Sequence, residues 1–265
     1  MGLLSKQAKN ILVETKDKLG AVAKAKVVTL LGKSYHPTRY FVSKKHNIVY
    51  VVNNKCASSS IKKLLLIENN IDLSAIGHYG QIHQKGRDFG FEVHDPNTHL
   101  DKYFFSFVRN PFDRILSLYI NKFLDSEKIV SGVFQYKTYL GGIFKQDDSF
   151  EQFLSKVSSI PQNMTDLHFR SQYHLLYHES PKMDFVGKQE DYQNDMAKLA
   201  KQFNFNSFKQ AEKAKAANKT KYEKFSLEYS LSTFEMVREL YKDDIESFGY
   251  IKEADALYRR IKANA

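Results

Sequence analysis

The chain has 265 residues, 42% of them hydrophobic and 14% aromatic, with a formal charge of +10 and one cysteine. This suits one α/β domain with a substantial core. It excludes an intrachain disulfide and, with no run of 18 or more apolar residues, a spanning apolar helix. The charge excess fits a polyanionic small molecule, an acidic glycan, an acidic membrane surface or nucleic acid. Much of it comes from lysines such as Lys198, Lys201, Lys209 and Lys213, which read as a solvated helix face.

Residues 1–33 read as an amphipathic helix, with Leu4, Ala8, Ile11, Leu12, Leu19, Val22 and Ala23 on one stripe and lysines opposite. Packing on the domain or on another subunit is preferred to resting on a membrane, because several stripe positions are alanine and no Trp or Phe anchors them. Peripheral membrane contact through these residues stays open. MGLLSKQAKN is no secretory signal, since Lys6, Lys9 and Asn10 interrupt its apolar positions. A cytoplasmic location is therefore expected. Residues 34–265 form the expected domain.

Tyr35 to Val42 reads as a loop or edge segment. Asn47 to Val52, NIVYVV, is a short buried strand, and Ile61 to Asn69 a helix capped by Ser58, Ser59 or Ser60. Ile76 to Phe91 looks irregular, with a strand-like run entering His94. Tyr103 to Val108 is a second buried strand and Phe112 to Leu124 its helix. No clear pattern covers Asp125 to Asp148. A helix over Phe150 to Val157 is capped by Ser149, and Asp184 to Val186 is a third short strand. Asp191 to Phe203 and Ser232 to Phe248 complete the helices.

The two strand-to-helix turns carry the chemistry. In FFSFVRNPFDRILSLY an apolar strand ends at Arg109, Asn110-Pro111 turns the chain, and an amphipathic helix begins. Such a turn offers backbone N–H groups and the positive end of a helix dipole, so an anion belongs there. Arg109 can grip a phosphate in bidentate fashion, and Ser117 adds a hydroxyl on the helix. Upstream, Asn53 to Ser60 is a polar, hydroxyl-rich loop that lets backbone approach a phosphate, with Lys55 as a point charge. It holds no glycine, so it is not the Gly-x-x-x-x-Gly-Lys-Ser/Thr loop. Gly32-Lys33-Ser34 is a decoy, since the first glycine of that pattern would fall at Val27. Two anion turns on one scaffold suggest a ligand with two separated phosphates.

Lys55-Cys56-Ala57-Ser58-Ser59-Ser60 resembles the 5′-phosphosulfate loop of sulfotransferases, and Val108 to Tyr119 their 3′-phosphate segment. The best resemblance is to carbohydrate sulfotransferases of the chondroitin, HNK-1 and uronyl 2-O group. Asp184 to Glu190, DFVGKQE, is similar to that group's D-F-I-G-R-F-E segment, and Val237 to Tyr250 to its Y-x-x-D-x-x-x-F-G-Y ending. The likeness runs in patches from about Tyr40 to Tyr250. It departs at Asn54, where the family usually has proline, and at Ser59, often threonine.

The resemblance implies a P-loop-NTPase-like α/β fold with a central, mainly parallel sheet flanked by helices. It implies 3′-phosphoadenosine-5′-phosphosulfate (PAPS) as sulfuryl donor and a carbohydrate hydroxyl as acceptor, with neither metal nor nucleic acid expected. Carried over by position, Lys55 neutralises the leaving phosphate, and Ser59 and Ser60 hold the 5′-phosphate with the amides of Cys56, Ala57 and Ser58. Arg109 and Ser117 hold the 3′-phosphate, and Arg114 either assists or binds a carboxylate. Lys219, Thr220 and Lys221 either close over the nucleotide or are plain surface. Cys56 itself reads as a small loop filler.

In-line sulfuryl transfer needs a base for the acceptor proton. A histidine, with a free pKa of about 6.5, suits it. Related enzymes place one between the phosphate motifs, which leaves His78, His83, His94 and His99; His94 is preferred and His99 second. His168 to Gln172 resembles a family segment H-W/F-x-x-Q, which puts His168 and Arg170 near acceptor or cofactor. His174 and His178 have helical metal-ligand spacing but no third ligand. Two other readings are a kinase-like nucleotide enzyme of the same broad fold and a non-catalytic basic module for acidic glycans. The kinase-like one lacks a Gly-Lys-Ser/Thr loop after a strand and an acidic Mg²⁺-binding pair.

Overall fold

The computed structural model describes residues 6–31, 33–74, 80–124, 134–207 and 229–264. The expectations for His78, Lys219, Thr220 and Lys221 lie outside these residues. A helix, α1 (Lys6–Leu30), comes first. Strands β1 (Tyr40–Ser43) and β2 (Ile48–Val51) follow, then α2 (Ser58–Glu68) and α3 (Gly80–Asp88). Next come β3 (Glu92–Val93), β4 (Tyr103–Val108), α4 (Pro111–Tyr119) and α5 (Phe150–Ser158). The chain closes with β5 (Phe185–Lys188), α6 (Tyr192–Phe203), α7 (Leu231–Leu240), α8 (Lys242–Ser247) and α9 (Ile251–Ala263).

The five strands form one sheet in the order β3-β1-β2-β4-β5. β2, β4 and β5 are parallel neighbours, while β1 is antiparallel to both β2 and β3. So β1 alone runs against the others, and the sheet is mostly parallel in direction. Strands β1, β2 and β4 are rich in β-branched and aromatic residues and are buried on both faces, which is why β2 and β4 read as continuous apolar runs rather than alternating ones. Successive residues part to opposite faces. Tyr40, Val42, Val49, Val51, Phe104 and Val108 join the core beneath α4, α5 and α7. Phe41, Ile48, Tyr50, Phe105 and Phe107 join the core under α2 and α6. Each buried aromatic or aliphatic side chain contributes about 1.5–3 kcal/mol.

β4 meets β5 closely because Gly187 has no side chain. A Cβ there would lie 2.6 Å from the Phe107 ring. Helices therefore flank the sheet on both sides, and the β2–α2 and β4–α4 turns open at the same edge, the carboxyl ends of parallel strands. In open α/β sheets that edge is where ligands bind.

Several local expectations change. Tyr40–Ser43 is an interior strand, fully buried between β2 and β3, not a loop or edge. The stretch expected to be irregular before Phe91 holds α3, whose Ile82 packs into the core. The helix expected over Ser232 to Phe248 breaks at Tyr241 into α7 and α8, with Tyr241 at φ −119°. No described helix is long and apolar enough to cross a membrane.

Candidate active site

The two turns are built differently. At the downstream one, the Asn110 side chain accepts a hydrogen bond from the Phe112 N–H at 3.0 Å and Pro111 occupies the first helical position. Both features start a helix from local sequence alone. At the upstream one, α2 starts after Ala57 with no side-chain cap, so the expected serine cap is absent. Lys55 and Ala57 instead take left-handed backbone, at φ +68° and +58°. Such a left-handed bend ahead of a helix end gathers N–H groups into an anion-binding concavity.

Long-range hydrogen bonds hold this bend. The Gln172 side-chain oxygen accepts from Asn53 Nδ2 at 3.1 Å, the Cys56 thiol at 3.2 Å and the Arg109 N–H at 3.0 Å. Gln172 Nε2 donates to the Arg109 carbonyl at 2.8 Å. One side chain thus ties the two turns together. Gln172 is fixed in turn by the buried Asp244 carboxylate, which accepts from the Ser171 hydroxyl, the Gln172 and Tyr173 N–H groups and Gln172 Nε2. Glu190 does the same at the other flank, accepting from the Asn110 N–H at 2.7 Å and the Tyr250 hydroxyl at 3.0 Å. The separate segments HFRSQ, DFVGKQE and YKDDIESFGY therefore converge on one knot beneath the turns.

The cations divide by what they touch. Arg114, expected to assist at the 3′-phosphate or to bind a carboxylate, is buried and gives its guanidinium to the carbonyls of Asn54, Arg170 and Leu167. Arg170, expected near substrate, is buried against Glu179 and the carbonyls of His36 and Thr165. Both brace the fold instead. Lys55 and Arg109 stay half-buried at the surface of the turns. Lys55 Nζ donates to Asn121 Oδ1 at 2.8 Å and Arg109 Nη1 lies 3.4 Å from the Lys55 carbonyl. Arg114, Ser117 and Asn121 are spaced three and four apart, so Ser117 sits on the helix face whose two neighbours touch the loop. Asn121 falls in a π-helical turn, Ile120–Leu124, that ends α4.

Cys56 is fully buried, and burial pushes its thiol up to about 12 despite the nearby Arg114 and Arg109 charges. It is no nucleophile at neutral pH. Behind the loop, Ser59 Oγ lies 3.5 Å from His83 Nε2, and His83 Nδ1 lies 3.5 Å from Lys62 Nζ. Lys62 is wholly buried and paired with Glu92 at 2.5 Å. Burial draws the Lys62 ammonium down to about 8, against the pull of Glu92.

A cleft of about 250 Å³ is lined by His36, Pro37, Arg39, His94, Asp166, Leu167 and His168, and Arg39 Nη2 reaches Asn54 Oδ1 of the loop at 3.4 Å. His94 is thus at the cleft. His99 is not. It sits in the turn that feeds the amino end of β4, opposite to Arg109. His168 Nδ1 lies 2.6 Å from Asp166 Oδ1, and His36 Nε2 is 3.7 Å from Asp166 Oδ2. Among the described residues no group of three His, Cys, Asp or Glu side chains could hold a metal.

The sequence reading missed Asn121, Asp166 and His36 and did not see what Gln172 and Asp244 do. Asn121 was detectable as the position one helical turn after Ser117, and Asp166 as the carboxylate two residues before His168. His36 and Arg39 carry no local signal.

A family model described as Sulfotransferase family matches residues 38–251. Human carbohydrate sulfotransferase 9 is 29% identical over 196 residues, which is 65% of this chain and 44% of the human protein. The matched stretch thus spans less than half the length of that relative. No solved structure gives a significant match.

Proposed function

The chain belongs to the sulfotransferase family, and from that premise we propose that it moves a sulfuryl group from PAPS to a hydroxyl of a carbohydrate acceptor on a P-loop-NTPase-like scaffold. The carrying observation is the pair of anion-binding turns on one sheet edge, tied by Gln172, with Arg109 Nη1 3.4 Å from the Lys55 carbonyl. A ligand with phosphates at both ends of a nucleoside suits two such turns. The carbohydrate acceptor is taken from the name of the human relative and from the cleft lined by Arg39, which reaches Asn54 of the loop.

The residues present fit the donor. The left-handed loop precedes a helix start, and Asn54 Nδ2 is buried within it with no hydrogen-bond partner among the described residues. A buried donor without a partner costs about 1–3 kcal/mol, which a bound anion recovers. When bound, PAPS supplies a sulfuryl group carried on a phosphate leaving group. Lys55 would neutralise that phosphate, and Ser58, Ser59 and Ser60 with the loop amides would cradle it. Arg109 and Ser117 would hold the 3′-phosphate. Arg114 acts at one remove, by fixing the Asn54 carbonyl. A histidine of the cleft accepts the hydroxyl proton.

The test is a thermal-shift titration with 3′-phosphoadenosine-5′-phosphate, against ADP and ATP. Saturable stabilisation by the bisphosphate alone is expected. An equal response to ATP would replace this reading with a kinase-like one.

A further inference from the structure

Resting on the sulfotransfer reading, we infer that His168 takes the proton of the acceptor hydroxyl and that Asp166 positions it to do so. Two of the candidate histidines lie away from the cleft. His99 lies at the far end of β4, and His83, with both ring nitrogens taken up at 3.5 Å by Ser59 Oγ and Lys62 Nζ, does not line the cleft. His36, His94 and His168 line the cleft.

Of these three, only His168 has a ring nitrogen in hydrogen-bond contact with a carboxylate. Its Nδ1 meets Asp166 Oδ1 at 2.6 Å. Such a contact puts the proton on Nδ1, leaves the Nε2 lone pair available and fixes the ring. His36 presents Nε2 to the other oxygen of Asp166 at 3.7 Å, and that nitrogen is buried with no hydrogen-bond partner. His94 is exposed and makes no hydrogen bond or ion pair with the described residues, so nothing orients it.

Asp166 is itself held. Its Oδ1 also accepts from the His168 N–H at 2.9 Å and lies 3.3 Å from the Tyr136 hydroxyl. Burial alone would raise its carboxyl, but His168 and His36 outweigh that and keep it well below the usual carboxylate range. The charged groups around His168 are Asp166, Lys122 at the end of α4 and Lys55 on the loop. Burial, aided by the two lysines and opposed by Asp166, lowers its imidazole from the ordinary value. That direction favours the neutral ring a base needs. Leu167, between Asp166 and His168, shares the Arg114 guanidinium with Asn54 of the loop, at 3.2 and 3.1 Å, which sets this end of the cleft next to the phosphate loop.

The step balances. The acceptor oxygen bonds to sulfur as the sulfur–oxygen bond to the 5′-phosphate breaks. The bonding pair leaves on the phosphate oxygen, and the hydroxyl proton moves to Nε2 of His168 and later to solvent. The products are a sulfate ester and the 3′,5′-bisphosphate.

The experiment compares the full chain with His168→Ala, His168→Gln, Asp166→Asn and His94→Ala. Bisphosphate release from PAPS is followed with pooled monosaccharides and desulfated oligosaccharides as acceptors, across the histidine titration range. Bisphosphate stabilisation is measured on each variant, and imidazole tautomers are read by ¹⁵N NMR in the bisphosphate complex. His168→Ala and His168→Gln should lower turnover by about 10²–10⁴-fold while the bisphosphate still stabilises them, and His94→Ala should lose far less. Asp166→Asn should lose less than His168→Ala. It should also move the acid limb of the pH profile to lower pH, because the carboxylate that raises the imidazole is gone. NMR should find the proton of His168 on Nδ1 in the wild type, and that preference should fall in Asp166→Asn. Wild-type turnover in His168→Ala, or a His168 proton on Nε2, overturns the inference while leaving the family reading intact. Absence of any bisphosphate stabilisation in the wild type overturns the sulfotransfer reading and this inference with it.

Discussion

The β4–α4 turn and the β2–α2 turn face the same edge and look alike in outline, yet they are held by different forces. The first is local. Asn110 caps α4, Pro111 opens it, and the Arg114 N–H reaches back to the Asn110 carbonyl at 2.9 Å. The second is tertiary. It has no side-chain cap, two non-glycine residues in left-handed backbone, and a partner in Gln172 that is 119 residues from Asn53. Left-handed backbone costs about 1–2 kcal/mol per non-glycine residue, so the surroundings must over-determine it. Strain of this kind collects where a backbone is shaped for a ligand. One turn is thus a self-sufficient helix start, and the other is a shape imposed from outside.

Several changes would break or sharpen that contrast. Lys55→Ala should have the largest effect, lowering turnover about 10²–10³-fold by leaving the charge on the departing phosphate unneutralised. Its melting temperature should stay near that of the wild type, since Lys55 is only half-buried. Retained turnover would remove the loop from the chemistry.

Gln172→Ala comes next. It strips the acceptor shared by Asn53, Cys56 and Arg109, so stability should fall by about 3 kcal/mol, read by urea unfolding. Bisphosphate affinity should fall with it, because both turns lose their common tether. Asn110→Ala, by contrast, removes one cap and should cost only about 1 kcal/mol. If Asn110→Ala proved as damaging as Gln172→Ala, the division into a local and a tertiary turn would not stand.

Acid should loosen the upstream turn through His83. Burial, then the Lys62 and Arg39 charges, lower that imidazole to about 4. Neutral His83 therefore contributes stability that is complete above its unfolded pKa of about 6.5 and is lost as the pH falls through the folded value. A His83→Asn variant should show a shallower loss of stability over that window, measured by urea unfolding at each pH. The smallest effect is expected from Ala57→Gly. Relief of left-handed strain at φ +58° should raise stability by about 1 kcal/mol with turnover little changed.

The same contrast explains what the sequence disclosed. Tyr103 to Val108 is the strand expected, and α5 starts at Phe150 behind a Ser149–Gln152 capping box. Hydrophobic runs and caps act between near neighbours, so a linear reading captures them. Strand β1 was misjudged because Tyr40–Ser43 is short, and only its pairing with both β2 and β3 makes it interior. The run before Phe91 hid α3 because Gly80 and Gly86 argue against a helix. Gly86 is nevertheless required, since a Cβ there would lie 2.7 Å from the Phe41 ring. Lys55, Arg109 and Ser117 were nameable as candidates from their turns, and His94 from the short strand before it, because each signal lies within a few residues. The occupations of Arg114 and Arg170 were not, because a guanidinium's partners here are carbonyls up to 134 residues away.

By itself the sequence determined the two strand–turn–helix units, their order and their charge, because caps, apolar runs and a basic residue at a strand end are properties of contiguous residues. Only the tertiary structure decided that Gln172 and Asp244, 72 residues apart, meet beneath both turns, and that Asp166 and His168 share a cleft with His36 and His94. Those placements follow from how helices pack on the two faces of the sheet, and burial of their polar atoms then leaves each one the few partners that packing brings within reach.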